Sequence, residues 1–260
     1  MINGLKKMFS PFSSLSPHSH LLPLSGELEL GEKLKTDIHS HLIPGIDDGA
    51  KMMDESIEII ETFSQLGYEK IITTPHMMQD RYDNTHKKIL DGLFNVRREL
   101  EKRSISIVLE AAAEYYIDDQ FEKLLYNRDL LTFSDNYILF EMSCVNKPLN
   151  LFDLILEMQI AGYKPILAHP ERYQFMNNNR EIYEELKDSG VLFQVDMLSL
   201  TNYPSFETQR YALWLCNKGM IDFLGSDVHK RSHLSMIEKL KTTSILKSVY
   251  ENNKLLNTTL

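Results

Sequence analysis

A parallel α/β fold is what this sequence predicts, and three observations carry the prediction. Four times, an amphipathic helical segment ends at a glycine and leads straight into a short apolar run. Those runs are short and nearly continuous in apolar residues, as expected for parallel strands covered on both faces. Histidines and carboxylates gather just where the runs end, and in parallel barrels the loops after the strands form the active site.

Taken in order, the chain opens with "MINGLKKMFSPFSSLSPHSHLLPLSG". Lys6 and Lys7 are present, but prolines and serines interrupt every apolar stretch after them. A signal peptide needs an unbroken apolar segment and a small-residue cleavage site, and neither is found. Residues 1–33 read as a loosely ordered arm, and residues 34–260 as one domain, since no linker or low-complexity tract interrupts them. The first strand lies in "KLKTDIHSH". The helix "IEIIETFSQLG", with Asp54 as its expected N-cap, leads to "YEKIITTPH". In "THKKILDGLFNVRRELEKR", Ile89, Leu93, Val96 and Leu100 share one helical face. The runs "ISIVLEAAAEYY" and "NYILFEMS" follow. "LFDLILEMQIAG" then leads to "YKPILAHPERY", "REIYEELKDSG" to "VLFQVDM", and "RYALWLCNKG", capped by Ser205, to "MIDFLGSDVH". Gly67, Gly162, Gly190 and Gly219 take the position after a helix where a left-handed backbone favours glycine. That makes about seven strands alternating with helices.

Composition removes several classes of function. A formal charge of −9 with no basic stripe argues against a nucleic-acid partner. No apolar run approaches a membrane span. Two cysteines, Cys144 and Cys216, make no disulfide framework and suit a reducing compartment, so a cytoplasmic protein is expected. Neither cysteine has an arginine six residues later, as a cysteine-nucleophile phosphatase requires. Asn150 and Asp222 stand there instead, and both thiols read as packing residues.

The strand ends deliver a collection of metal-binding side chains. The first run ends in His39 and His41, with Asp47 and Asp48 beyond a Pro-Gly turn; the next three end in His76, Glu114 and Glu141. The fifth ends in His169 with Arg172 close behind, and the last in Asp227 and His229 with Arg231 following. Imidazole and carboxylate together suit borderline divalent ions, and carboxylates clustered without cations would be strongly penalised. Any one of these residues alone is more often satisfied by ordinary partners; the conjunction carries the weight. Asp47 competes with Asp48 as the ligand. Asp37 is expected to hold an imidazole from behind, and Asp196 is left outside the set. His18 and His20 lie in the arm with no strand before them, His86 reads as a surface residue, and a role in the site is open to His233.

At these residues the chain resembles the polymerase-and-histidinol-phosphatase (PHP) superfamily of metal-dependent phosphoesterases. Within it, the chain is most similar to bacterial tyrosine phosphatases of capsular and extracellular polysaccharide synthesis. "DIHSHLIPGIDDGA", "TTPH", "AAAEYY", "LFEMS", "LAHPERY" and "GSDVH" occur in that family's order, from about Thr36 to about Met236. The resemblance implies a distorted (β/α)7 barrel and three metal ions, commonly manganese, with iron, zinc or magnesium as alternatives. Carried over residue by residue, the ligands are His39, His41, Asp48, His76, Glu114, Glu141, His169, Asp227 and His229. Arg172 matches one phosphate-binding arginine, and Arg231 is the choice for the second. It departs from the pattern by lying closer to the histidine before it.

The resemblance further implies hydrolysis of phosphotyrosine on a protein by a metal-activated hydroxide. The expected substrate is the autophosphorylated tail of a bacterial tyrosine kinase, and His229 is a candidate proton donor to the leaving phenolate. Tyr115, Tyr116 and Tyr173 follow proposed ligands and are candidate walls for the substrate ring. The nearest rival is a histidinol-phosphate phosphatase using much the same ligands on a small substrate. A structural zinc site needs only four ligands, fewer than the nine proposed. An amidohydrolase of the bridging-lysine kind lacks its lysine at a strand end.

Overall fold

The computed structural model describes residues 30–260; His18 and His20 lie outside them. Residues 30–33, grouped with the arm on sequence, open helix α1 (Leu30–Leu34). The Gly31 backbone lies so close to Gly67 and Tyr68 that a Cβ there would clash. The remaining helices are α2 (Met53–Gln65), α3 (His86–Lys102), α4 (Asp119–Tyr126), α5 (Leu151–Ile160), α6 (Gln174–Asn178), α7 (Glu181–Asp188), α8 (Phe206–Asn217), α9 (Arg231–Leu240) and α10 (Ser244–Asn252). Ser205 caps α8 by accepting the Thr208 N–H. Asp54 does not cap α2: Met52 holds that position without a side-chain bond, and Asp54 pairs with Arg103. The four glycines after helices all have φ between 66° and 91°.

The strands are β1 (Thr36–Ser40), β2 (Lys70–Thr73), β3 (His76–Met77), β4 (Val108–Ala111), β5 (Glu114–Tyr116), β6 (Tyr137–Glu141), β7 (Lys164–Ala168), β8 (Leu192–Asp196) and β9 (Phe223–Val228). All pairings are parallel, in the order β3-β5-β6-β7-β8-β9-β1-β2-β4. Nine strands and the seven expected runs agree once two interruptions are seen. β3 continues β2 past Thr74-Pro75, and β5 continues β4 past Ala112-Ala113. Between them Ala112 N–H still donates to Thr73 O and Glu114 N–H to Pro75 O. The two ends of the order therefore belong to neighbouring ribbons already paired with each other, and the seven runs curl into one distorted barrel.

Two hydrophobic clusters divide the core. Ile38, Ile72, Ala112, Leu139, Ile166, Ala168 and Phe223, on the inward faces of the strands, form the smaller one together with Phe133. Residues such as Ile71, Leu109, Phe140, Leu167, Phe193 and Leu224 face the helices in the larger one. Leu256 and Leu260 pack against the inner cluster. Beside them, buried Asn257 closes the barrel floor: its amide donates to Thr36 O and Leu224 O, and its oxygen accepts the Leu224 N–H. Truncating it would orphan three buried backbone groups, at roughly 1–3 kcal/mol each when no water reaches them. Asn257→Ala is therefore expected to lower the unfolding free energy by at least about 3 kcal/mol, read from the urea midpoint; an unchanged midpoint would contradict the clamp.

Candidate metal centre

Strand geometry decides which side chains reach the barrel mouth. Side chains alternate along a strand, so residues an even number of places after an inward-facing one also face inward. Glu114 follows Ala112, Glu141 follows Leu139, His76 lies four after Ile72, and Asp227 lies four after Phe223. His39 and His169 are different, since each directly follows an inward residue, Ile38 and Ala168. Their backbones are left-handed, at φ 75° and 33°, and Asp227 is too, at 45°. At His39 the register against β9 also shifts. A non-glycine residue in such a conformation costs about 1–3 kcal/mol, and here the irregular backbone turns the two imidazoles toward the others.

All nine sequence-predicted ligands meet. Four overlapping groups have ligand atoms within 4.8 Å of one another: His41, Asp48, His76 and His229; His39, Glu114 and His169; His39, His41 and Asp227; His76, Glu114 and Glu141. Glu114, fully buried, lies at the centre. Its oxygens are 3.2 Å from His39 Nε2, 3.0 Å from His76 Nδ1 and 3.0 Å from His169 Nε2. Asp227 Oδ1 is 3.2 Å from His39 Nε2 and 3.4 Å from His41 Nε2. Asp48 Oδ1 stands 3.4 Å from both His76 Nε2 and His229 Nε2.

Behind these groups stands a second set that fixes ring orientation. Gln194 Oε1 lies 2.6 Å from His39 Nδ1, and Asp47 Oδ2 lies 2.8 Å from His41 Nδ1. Each leaves the ring's Nε2 facing the centre. Asp47 also accepts the backbone N–H groups of Gly49 and His76, so it orients the site from behind, with Asp48 on the facing side. Asp37 differs from expectation: it accepts from Ser226 N–H and Oγ–H, and among the described residues no hydrogen bond joins it to an imidazole. Gly225 faces Gln194, and a Cβ there would come within 2.4 Å of its Nε2.

Electrostatics favour a cation at this place. Burial alone would lower the His39 pKa, but the charges of Glu114 and Asp227 outweigh it and hold the ring's pKa up at about 10. Burial would raise the Glu114 pKa, and the imidazoles of His39 and His76 pull it well below the usual carboxylate range. Even so, His39 Nε2, His41 Nε2, His76 Nδ1 and Glu114 Oε2 are buried without a hydrogen-bond partner. Buried polar atoms are rarely left so. Orphaned lone pairs converging from imidazoles and carboxylates fit divalent ions, and the donor set is the one such ions take.

Around the centre lies a cavity of about 820 Å³. Arg172 lines it, with Nη2 donating to Asp227 at 2.6 Å and to the buried Asp196, and with Nε left without a partner. Arg231 does not line it: at the start of α9 its guanidinium pairs with Glu58 in solvent, 72% exposed. Of the three tyrosines singled out on sequence, Tyr116 lines the cavity while Tyr115 and Tyr173 are buried in the core. His233 is buried behind His229, accepting its N–H at 3.4 Å. Burial, with the charges of His229 and Lys230, pushes its pKa down to about 4. His86 opens α3 half-buried, 3.1 Å from the Tyr115 hydroxyl. Cys216 is buried as expected, but Cys144 is exposed and lines the cavity. Sequence reading missed Gln194, Arg81 and Tyr82; for Gln194, inward parity after Leu192 was the available signal.

The barrel is a fold that this chain shares with solved metal-dependent phosphatases. A histidinol phosphate phosphatase from Lactococcus lactis shares the fold, with a TM-score of 0.55 at 14% identity over 85% of this chain and 94% of that one. The chain itself belongs to the CpsB/CapC family of capsular polysaccharide synthesis, whose profile matches residues 35–253. It is 30% identical to the tyrosine-protein phosphatase YwqE of Bacillus subtilis, over 74% of this chain and 76% of that one. It is 27% identical to the tyrosine-protein phosphatase CpsB of Streptococcus pneumoniae, over 74% of this chain and 82% of the relative. A crystal structure from work on those two, YwqE and CpsB, metal-dependent tyrosine phosphatases, has a TM-score of 0.71 at 27% identity. It covers 85% of this chain and 96% of that one.

If Asp47 orients His41 for a metal ion, Asp47→Ala should weaken manganese binding roughly 10–100-fold while leaving the circular-dichroism spectrum intact. Wild-type affinity in the variant would remove Asp47 from the site.

Proposed function

We propose that this chain hydrolyses phosphotyrosine on a protein, using divalent ions held by His39, His41, Asp48, His76, Glu114, Glu141, His169, Asp227 and His229. The carrying observation is the set of orphaned imidazole and carboxylate atoms gathered in overlapping groups beside the cavity. Family membership selects phosphotyrosine over histidinol phosphate as the substrate class. Neighbouring groups share His39, His41, His76 and Glu114, so adjacent ions would share ligands. We assign three, manganese first, with iron, zinc and magnesium as alternatives. The phosphorylated tail of a bacterial tyrosine kinase is the proposed partner. The two unpaired cysteines favour the cytoplasm, and no helix among the described residues is long and apolar enough to cross a membrane.

Bound there, the ions would lower the pKa of a water toward neutrality and offset charge on the phosphoryl oxygens. Arg172 is held by Asp196 and Asp227 and lines the cavity beside the proposed ligands, which suits a guanidinium that stabilises the equatorial oxygens of a transferring phosphoryl group. His229 Nδ1 lies 2.9 Å from the Asp227 carbonyl, leaving Nε2 as the nitrogen that faces Asp48. That single open nitrogen supports ligation better than proton donation. A phenolate, with a pKa near ~10 in free tyrosine, departs with less acid assistance than an alkoxide would. Water adds to phosphorus, the P–O bond to the phenol breaks, and tyrosine and phosphate leave.

Chelation should abolish turnover of a phosphotyrosine peptide without unfolding the protein, and added manganese should restore it; in parallel, histidinol phosphate should be the poorer substrate. Preference for histidinol phosphate would reverse the assignment. Arg172→Ala should lower kcat/KM for the peptide by about 100–1000-fold, and Arg231→Ala by less than about twofold. Equal losses would restore Arg231 to the site.

A further inference from the structure

One aromatic residue that lines the cavity outside the ligand set, Tyr82, belongs to a segment the sequence did not single out. Residues 78–82, between β3 and α3, form a tight turn in which Met78 and Tyr82 exchange backbone hydrogen bonds, at 3.2 and 2.8 Å. The turn is pinned at both flanks. Gln79 N–H donates to Asp118 Oδ2 at 2.8 Å, while the buried Asn84 amide donates to His76 O at 2.7 Å and to Ile46 O at 3.0 Å. Its last residue, Tyr82, stacks on the imidazole of His76, with centroids 5.1 Å apart and planes within 8°. The Arg81 guanidinium lies 5.1 Å from the same ring. Both residues line the cavity, and Tyr82 is only half-buried.

We propose that Tyr82 is the specificity-determining wall against which the aromatic ring of the substrate packs when its phosphoryl group sits at the metal centre. An aromatic ring stacked on a ligand imidazole stands beside that centre and leaves part of its surface in the cavity. Tyr116 and Met142 line the same cavity and contribute further apolar surface for a phenyl group. A small alkyl phosphate would have nothing to place there. Aromatic pairs contribute about 0.5–1.5 kcal/mol beyond the area they bury, which is roughly a two- to thirteenfold preference, and the apolar area of the ring adds to it. The inference rests on the phosphotyrosine reading above and says which side chain would provide its selectivity.

Calorimetric titration of the manganese-loaded protein with phenylphosphonate and with methylphosphonate tests it, because these ligands share the phosphonate group and differ in the ring. Wild type should bind the phenyl compound at least about tenfold more tightly. Tyr82→Ala should bring that ratio down by roughly tenfold, and Tyr82→Phe should keep it within about twofold. The Tyr82 hydroxyl interacts with Asp48, and taking a ratio cancels any effect of its loss that is common to both ligands. A ratio near one in wild type, or one unchanged in Tyr82→Ala, overturns the proposal. Turnover of a phosphotyrosine peptide by wild type is measured separately. Selective phenyl binding without that turnover would sink the phosphatase reading and leave the wall standing.

Discussion

Glu114 carries the constraint on which the rest of the molecule depends. A fully buried carboxylate with three imidazoles within 3.2 Å cannot persist in an apolar barrel unless its surroundings are arranged around charge. The second set of contacts serves that arrangement. Gln194 and Asp47 hold two imidazoles by their outer nitrogens, so that the inner ones face the carboxylates. Arg172 ties Asp227 to Asp196 and brings a guanidinium into the cavity without leaving it an isolated buried cation. Remove the central charge balance, and each of these partners becomes a buried polar group with nothing to face.

The backbone shows the same priority. Among the described residues nine non-glycine positions have left-handed φ, and three of them, His39, His169 and Asp227, are proposed ligands. Period-two alternation brings Glu114, Glu141 and His76 inward at no conformational cost, whereas His39 and His169 come one residue too late for it. The strain there is tolerated because both residues are locked by their partners, Gln194 and Glu114. Strand β9 adds its own accommodation: Gly225 leaves room for Gln194 where any side chain would strike it.

Much of this was legible in the sequence, for identifiable reasons. Helix–glycine–strand grammar is local, so the seven runs and their order could be read directly, and the glycines do adopt left-handed φ. Ligand residues at strand ends were legible because parallel topology converts sequence position into a shared face. What could not be read depends on contacts between distant segments. Gln194 lies 155 residues from His39, and nothing near it marks it as a partner. Arg231 follows the histidine so closely that α9 begins there and carries it outward to Glu58. Tyr82 sits in a turn held by Asp118 and Asn84, a geometry no periodicity announces. Asp54 lost the capping position to Met52 because the helix starts one residue before it.

The central claim is that these nine side chains are one metal-binding unit. Diffraction from crystals of the manganese-loaded protein, recorded on both sides of the manganese absorption edge, tests it without reference to activity. Anomalous peaks at the floor of the cavity, within coordination distance of His39, Glu114, His169 and Asp227 and of the Asp48–His76–His229 group, are the predicted result. Peaks elsewhere on the molecule, or none in a protein that remains folded, would contradict it.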